Sequence, residues 1–494
     1  MSYRISSALI CIIILMACSK KPQAPKTPDP PASSATEAQL IADSVYLFSK
    51  EIYYWQDVLP AYSVFNPGKY VKSDAVGTAQ ATIEGVRSYS NYDKEKEYSY
   101  ATDYEGDDAV ASSYHAGQPI TDYGFYVKDG WKSRTLNPSS LTDFAGWYIT
   151  YVYPDSDAGK KGIARGMKIL KINSTTLGYN DASIALLNNM FAYGTLKTAA
   201  LTIEKQNGET FNATVGITSF TPSSVLMSKV LTTATGKKVG YFVYNFFDKY
   251  NSDTQSELAN VFQSFKDAAV TDIVLDLRYN LGGYTRTQDE MANYLAPASA
   301  NDNKMYEDHF NDNMQKGNYS LMKTRDEPGT SYSVAVNTFK FNNANKSLDL
   351  PKLYVIVGHS TASSSELLIN NLKPKFGDNL VLIGDENTYG KPVGFFPVDL
   401  FKKVTFYTVS FITKNSSGES VSFDGFKPDY LVYDAVDKNW GDMTEDCLKT
   451  AINLIDGKSA SAISARAATV MSTALPKFQL SRKQPFRISN MIKE

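Results

Sequence analysis

Ile41, Val45, Phe48, Ile52 and Trp55 recur at alternating spacings of four and three. That is one stripe of an amphipathic helix, so ordered structure is expected to begin near Glu37. A second helix is expected over about Thr78–Val86. The segment Ser88–Asp108 is rich in Tyr, Asp, Glu and Lys without a clear period and reads as loop. Trp147-Tyr148-Ile149-Thr150-Tyr151-Val152-Tyr153-Pro154 predicts a strand by its aromatic and β-branched content. Later in the chain Val239–Tyr244 reads as a strand, and Ser252–Lys266 as a helix with Leu258, Val261, Phe262 and Phe265 on one face. There follow a strand at Asp272–Arg278, the turn Asn280-Leu281-Gly282-Gly283, helical sequence over Thr285–Tyr294, and strands at Leu353–Gly358 and Val381–Gly384. That succession predicts an α/β core with crossover helices. Residues 297–350, polar and rich in Asn and Asp, look like an insertion. From Lys458 the chain is Ala- and Ser-rich and then basic, which reads as a short helix and a loose end.

The beginning of the chain follows another pattern. After Arg4, Ala8 to Met16 is an apolar run of signal-peptide length, too short to span a bilayer as a mature helix. It ends in Leu15-Met16-Ala17-Cys18, which resembles a bacterial lipobox. The resemblance implies a lipid anchor at Cys18 and a place in the bacterial cell envelope, facing the periplasm or the cell surface. An ordinary cleaved secretion signal is the alternative. Residues 19–36, with prolines at 22, 25, 28, 30 and 31, cannot build a core and read as an extended tether. Processing would leave Cys447 as the unmodified cysteine, so no disulfide framework is expected.

A chain of 494 residues can hold two or three domains. The expected divisions are 1–18 (signal and lipobox), 19–36 (tether), 37–110 (helical), 115–220 (β-rich), 225–457 (α/β core) and 458–494 (basic tail). A formal charge of −2 offers no basic field for nucleic acid. His115, His309 and His359 are scattered, as are the three cysteines, so no zinc site of the usual kind is expected. Neither a metal nor a cofactor is called for.

Candidate chemistry gathers where the Leu353–Gly358 strand runs into Ser360-Thr361-Ala362-Ser363-Ser364-Ser365-Glu366. A hydroxyl at a strand-to-helix turn meets unpartnered backbone N–H groups at the positive end of the helix dipole. Such a place suits a serine nucleophile and the oxyanion it creates. Ser363-x-x-Glu366 equally fits a capping box, whose role is only to tie off a helix start. A serine also needs a base. His359 lies four residues before Ser363, with no acid marked to orient it. Lys391 lies in a glycine-flanked turn after a buried-looking strand and can serve if burial lowers its pKa from about 10.4. Ser–Lys pairs are a recognised variant of serine-hydrolase chemistry. The Gly282–Gly283 turn can aim N–H groups at a carbonyl under attack. Asp276 and Arg278 read as residues that fix a strand end.

Two resemblances organise these pieces. Asp155 to Asn173, with Ser156, Gly166, Ile169 and Asn173 in place, resembles the core of a PDZ domain; Gly162 and Met167 depart from its pattern. PDZ domains bind chain ends by strand addition, and Tyr123-Gly124-Phe125-Tyr126 is the candidate carboxylate loop. Asp276–Gly283, Thr361–Glu366 and Gly384–Lys391, in this order and each after an apolar strand, resemble the S41 family of serine peptidases, the C-terminal processing or tail-specific proteases. The likeness extends over roughly residues 40–440 and is nearest to lipoprotein members. It implies an α+β multidomain chain with an N-terminal helical segment, a β-rich PDZ-like domain and an α/β core of the ClpP/crotonase-like type. It further implies Ser363, three before Glu366, as nucleophile, with Ser365 as fallback, and Lys391 as general base. Gly282, Gly283 and Ser364 would form the oxyanion hole, Ser364 standing where the family usually has Ala. Phe395 stands where many members carry a glutamine that helps hold the lysine. The implied function is a serine endopeptidase acting on protein or peptide substrates, with C-termini recognised by the PDZ-like domain. A peptidase-fold lipoprotein that binds protein tails without cutting them is the alternative.

Overall fold

The computed structural model describes residues 35–104, 120–191, 194–326, 329–395, 397–458 and 491–492. The expected lipobox at Cys18, the expected tether up to residue 34, His115 and nearly all of the basic tail lie outside the described residues. No helix among the described residues is long and apolar enough to cross a membrane.

The core is a six-stranded sheet in the order Val225–Thr232, Lys238–Tyr244, Asp272–Asp276, Leu353–Val357, Leu380–Gly384, Tyr430–Leu431. The first strand is antiparallel to its neighbour and the remaining pairs are parallel. The apolar runs of the two central strands, Asp272–Asp276 and Leu353–Val357, follow from burial on both faces. Phe242, Tyr244, Ile273, Leu275, Leu353 and Val355 point into one apolar cluster with Leu258, Phe262, Met291 and Leu367 from three helices. The alternate residues Tyr241, Val243, Val274, Tyr354 and Ile356 pack on the other face with Cys447, Leu448 and Ile452 of Asp446–Ile455. The architecture is mixed α+β, with several sheets and helices.

Near the start of the described chain, Thr36 caps Glu37–Ile52, which buries Ile41, Val45, Phe48 and Ile52. Trp55 falls beyond the helix end and stacks on Tyr92 instead. Ser88–Asp108 is not simply loop. Ser90 caps a short helix at Asn91–Lys96, and Tyr100–Asp103 pairs antiparallel with Val404–Tyr407. Six residues are too few to display a helical period, and a strand whose partner lies about 300 residues away gives no local sign of it. Residues 297–350 likewise do more than interrupt the core. Lys304–Phe310 pairs with Phe411–Asn415 inside a second sheet and buries Met305, Tyr306 and Phe310. Its apolar alternation is broken by Glu307, Asp308 and His309.

Residues 120–220 contribute a smaller sheet through Phe125–Trp131, Phe144–Val152, Lys168–Ile172, Thr198–Glu204 and Thr210–Gly216, packed on the helix Asp181–Phe191. A buried ion network joins it to the core. Asp434 accepts from Arg165 at 3.0 Å and Lys128 at 3.2 Å on the small-sheet side, and from Arg278 at 2.8 Å on the core side. Lys128 also reaches Asp385 at 2.6 Å, while Arg278 pairs with Asp276 and Glu445. Burial alone would raise the Asp434 carboxyl, but Lys128, Arg278 and Arg165 overcome it and hold the group well below the ordinary carboxylate range. Asp434→Asn leaves buried Arg165 and Arg278 underpaired and is expected to destabilise the chain by about 3–5 kcal/mol. Because the folded pKa is depressed, this stability is present above about pH 4 and lost as pH falls further. Urea midpoints measured against pH should show a steep acid loss in the parent and a shallower one in Asp434→Asn.

Candidate active site

The strand Leu353–Val357 delivers the chain to Thr361, whose Oγ1 donates to the Leu277 carbonyl at 2.8 Å and accepts from the Gly358 N–H at 3.0 Å. The next residues are pinned to the glycine turn, since the Ala362 N–H donates to the Asn280 carbonyl at 3.1 Å. Ser363 then takes φ 58° and ψ −117°. This is not the extended backbone of an ordinary N-cap. A non-glycine residue held there costs on the order of 1–3 kcal/mol, a strain characteristic of functional turns. Ser363 Oγ lies toward the Glu366 N–H as a capping box requires. It is nonetheless buried without a properly formed hydrogen bond among the described residues. An ordinary cap would spend that hydroxyl on the helix.

Glu366, fully buried, performs a different task. Its Oε2 accepts from the Ser363 N–H at 3.1 Å and from the Lys391 N–H at 2.8 Å. Its Oε1 accepts from the Gly390 N–H at 2.8 Å and from the Thr388 hydroxyl. One carboxylate thus joins the Ser363 turn to the Lys391 loop, and the Tyr389 N–H adds a second link to the Thr361 carbonyl at 3.0 Å. Burial pushes the Glu366 carboxyl up, opposed by these four donors. In sequence Glu366 looks like the end of a capping box; that it also holds the lysine loop has no local signature.

Lys391 is 1% exposed, and burial drives its ammonium well below the ordinary lysine value against the opposing charges of Glu366 and Asp93. Its Nζ lies 4.7 Å from the centre of the Phe395 ring. The position that departs from the family glutamine therefore supplies an aromatic face. A ring face favours the ammonium, but burial is the larger influence here. The loop is further held by the segment read as featureless from sequence. Tyr98 Oη donates to the Gly390 carbonyl, and Lys96 Nζ donates to the Tyr389 carbonyl at 3.1 Å. Asp93, buried, accepts from Tyr53 and from both the N–H and the hydroxyl of Ser99, which shapes the turn carrying Tyr98.

The glycine turn meets the serine turn directly. A Cβ on Gly282 would fall 2.7 Å from Ser363 Cβ and 2.9 Å from the Ser364 nitrogen, and one on Gly283 would overlap the Phe247 carbonyl oxygen. Both glycines have positive φ, 105° and 140°. The Gly282 N–H donates to Asn280 Oδ1 at 2.8 Å. Ser364 Oγ donates to the Gly283 carbonyl and Ser365 Oγ to the Asn280 carbonyl, so these hydroxyls are engaged in fixing the turn.

Other candidates lie apart. His359 is exposed, with its ring 5.6 Å from that of Tyr389. Arg278 and Asp276 are absorbed in the buried ion network. Tyr123 and Phe125 belong to the core of the smaller sheet, and the Gly124 N–H donates to Asp122 Oδ1 at 2.9 Å. Among the described residues no group of His, Cys, Asp and Glu could hold a metal ion.

Residues 238–432 match the family model of peptidase family S41. Among solved structures, a Bacteroides fragilis protein named as an S41 protease shares the fold with a TM-score of 0.58 at 22% identity, covering 84% of this chain and 97% of that one. The photosystem II D1 C-terminal processing protease aligns over 80% of this chain and 93% of its own, at 16% identity and a TM-score of 0.46. No curated protein sequence matches. The matched segment contains the two-glycine turn, the Ser363 turn and Lys391, so the part of the chain that holds the candidate chemistry is the part that is similar to the S41 peptidases.

Proposed function

We propose that the chain is a serine endopeptidase of the bacterial envelope that works through a Ser363–Lys391 dyad. The observation that carries this reading is the shared Glu366 carboxylate, which seats the Ser363 and Lys391 backbones on one oxygen. Neutral Lys391 takes the Ser363 proton as Oγ attacks the scissile carbonyl, then returns it to the leaving amine. Water, deprotonated by the same lysine, hydrolyses the acyl-enzyme. The N–H groups of Gly283 and Ser364 receive the oxyanion, while Gly282, whose own N–H is spent on Asn280, allows the close approach. In this reading Cys18 carries the lipid, and the PDZ-like sheet receives substrate C-termini at the outer edge of Phe125–Trp131. With Tyr123 and Phe125 buried, such an end would meet backbone at Tyr123-Gly124-Phe125.

A fluorophosphonate probe tests the dyad without any knowledge of the substrate. Labelling of Ser363 is expected in the chain lacking residues 1–18, rising with pH as Lys391 loses its proton. Since burial lowers that pKa, the rise should fall well below the pH at which an ordinary lysine titrates. A folded chain that no probe labels would instead be the tail-binding lipoprotein.

A further inference from the structure

We propose that the edge of the strand Val393–Phe395 opposite Phe411–Asn415 is a docking edge for extended polypeptide, and that the segment Met491–Ile492 of the same chain occupies it in cis, holding the site closed. This rests on the dyad reading for its consequence, though the docking can be measured without it. Val393–Phe395 begins two residues after Lys391 and pairs on one side, antiparallel, with Phe411–Asn415. On its other side it pairs in parallel with Met491–Ile492, Gly394 opposite Met491 and Phe395 opposite Ile492. Phe395 is the residue whose ring lies against Lys391 Nζ. A chain added at this edge therefore runs beside the proposed base.

Main-chain pairing of this kind tolerates almost any sequence, as a peptidase acting on unfolded chains requires. It also means that any tethered extended segment competes for the edge. The site is closed in the observed conformation, with Ser363 0% and Lys391 1% exposed. A two-residue pairing would be weak between separate molecules. Tethering raises the effective concentration to the order of millimolar, which is enough to fill a weak site.

The test uses chains lacking residues 1–18, with and without truncation after Lys458. In the Ser363→Ala background, a fluorescently labelled peptide of residues 486–494 is titrated and its anisotropy followed. The expected result is binding to the truncated chain and at least tenfold weaker binding to the full one. A full chain carrying Met491→Pro and Ile492→Pro, which cannot pair as a strand, should bind like the truncated one, so a folding defect caused by truncation does not confound the outcome. In the Ser363 background, truncation should raise cleavage of an unfolded protein several-fold, and the free peptide should suppress it. Peptide that binds no chain, or binds full and truncated chains equally, overturns the docking. Docking as expected with no cleavage by any chain would leave the edge assignment standing and remove the dyad.

Discussion

On the proposed dyad, Ser363→Ala and Lys391→Met are each expected to reduce cleavage of an unfolded protein substrate by about 10⁴-fold or more, because a nucleophile and its base act as one unit. Neither change should cost the fold. Lys391 is buried, and burial is what lowers its pKa; a methionine of similar length replaces a buried amine whose charged form the site disfavours with an apolar side chain. The urea midpoint of Lys391→Met should thus equal or exceed the parent's. Ser363 holds φ 58°, and Ser363→Gly, which relieves that conformation, should be more stable by on the order of 1 kcal/mol while remaining inactive. Loss of activity with gain of stability is the signature of residues kept for chemistry. The measurement pairs kcat/KM with urea midpoints for the chain lacking residues 1–18. A Lys391→Met chain that still cuts would dismiss the lysine and move the search for a base to His359, exposed beside Tyr389.

The parts of this molecule that could be read from sequence are those where one local rule acts alone. Leu353–Val357 and Asp272–Asp276 carry apolar runs because both faces of a parallel sheet are covered, whereas a strand with one wet face would alternate with polar residues. The double glycine at 282–283 is legible for a similar reason, since only glycine allows the backbone this near to Phe247 and Ser363. What sequence hides depends on partners far along the chain. Asp93, Lys96 and Tyr98 look like ordinary surface residues until the Lys391 loop is laid against them. Arg165 and Asp434 give no sign of burial in sequence, because charged residues are mostly exposed unless paired, and the pairing here crosses from one sheet to another. The Ser363-x-x-Glu366 spacing is ambiguous for a physical reason. The glutamate does reach back to the Ser363 N–H as a cap would, and its further bonds to Gly390 and Lys391 arise only from the tertiary fold.

That double bridging leads to the second large effect, expected from Glu366→Gln. The wild-type carboxylate meets four donors and needs none of its own. A carboxamide keeps one accepting oxygen and turns an NH₂ group toward N–H donors, so one end of the bridge changes from attraction to repulsion. Hydrogen bonds to a charged group are worth about 1.5–3 kcal/mol each, and buried donors left without a partner add their own cost. The Ser363 turn and the Lys391 loop should then part slightly. A displacement of about 1 Å in a catalytic pair costs on the order of 10²-fold. The loss should appear in kcat with KM nearly unchanged, since Glu366 sits behind the dyad and is buried from substrate. The pH profile distinguishes this from general destabilisation. The Glu366 charge raises the Lys391 pKa, so its removal should move the rising limb of kcat to lower pH even as the plateau falls. Glu366→Asp retains the charge but shortens the reach, and should lower the plateau without the acid shift. If the limb stays fixed in Glu366→Gln while kcat and thermal stability fall together, Glu366 only supports the fold and does not position the dyad.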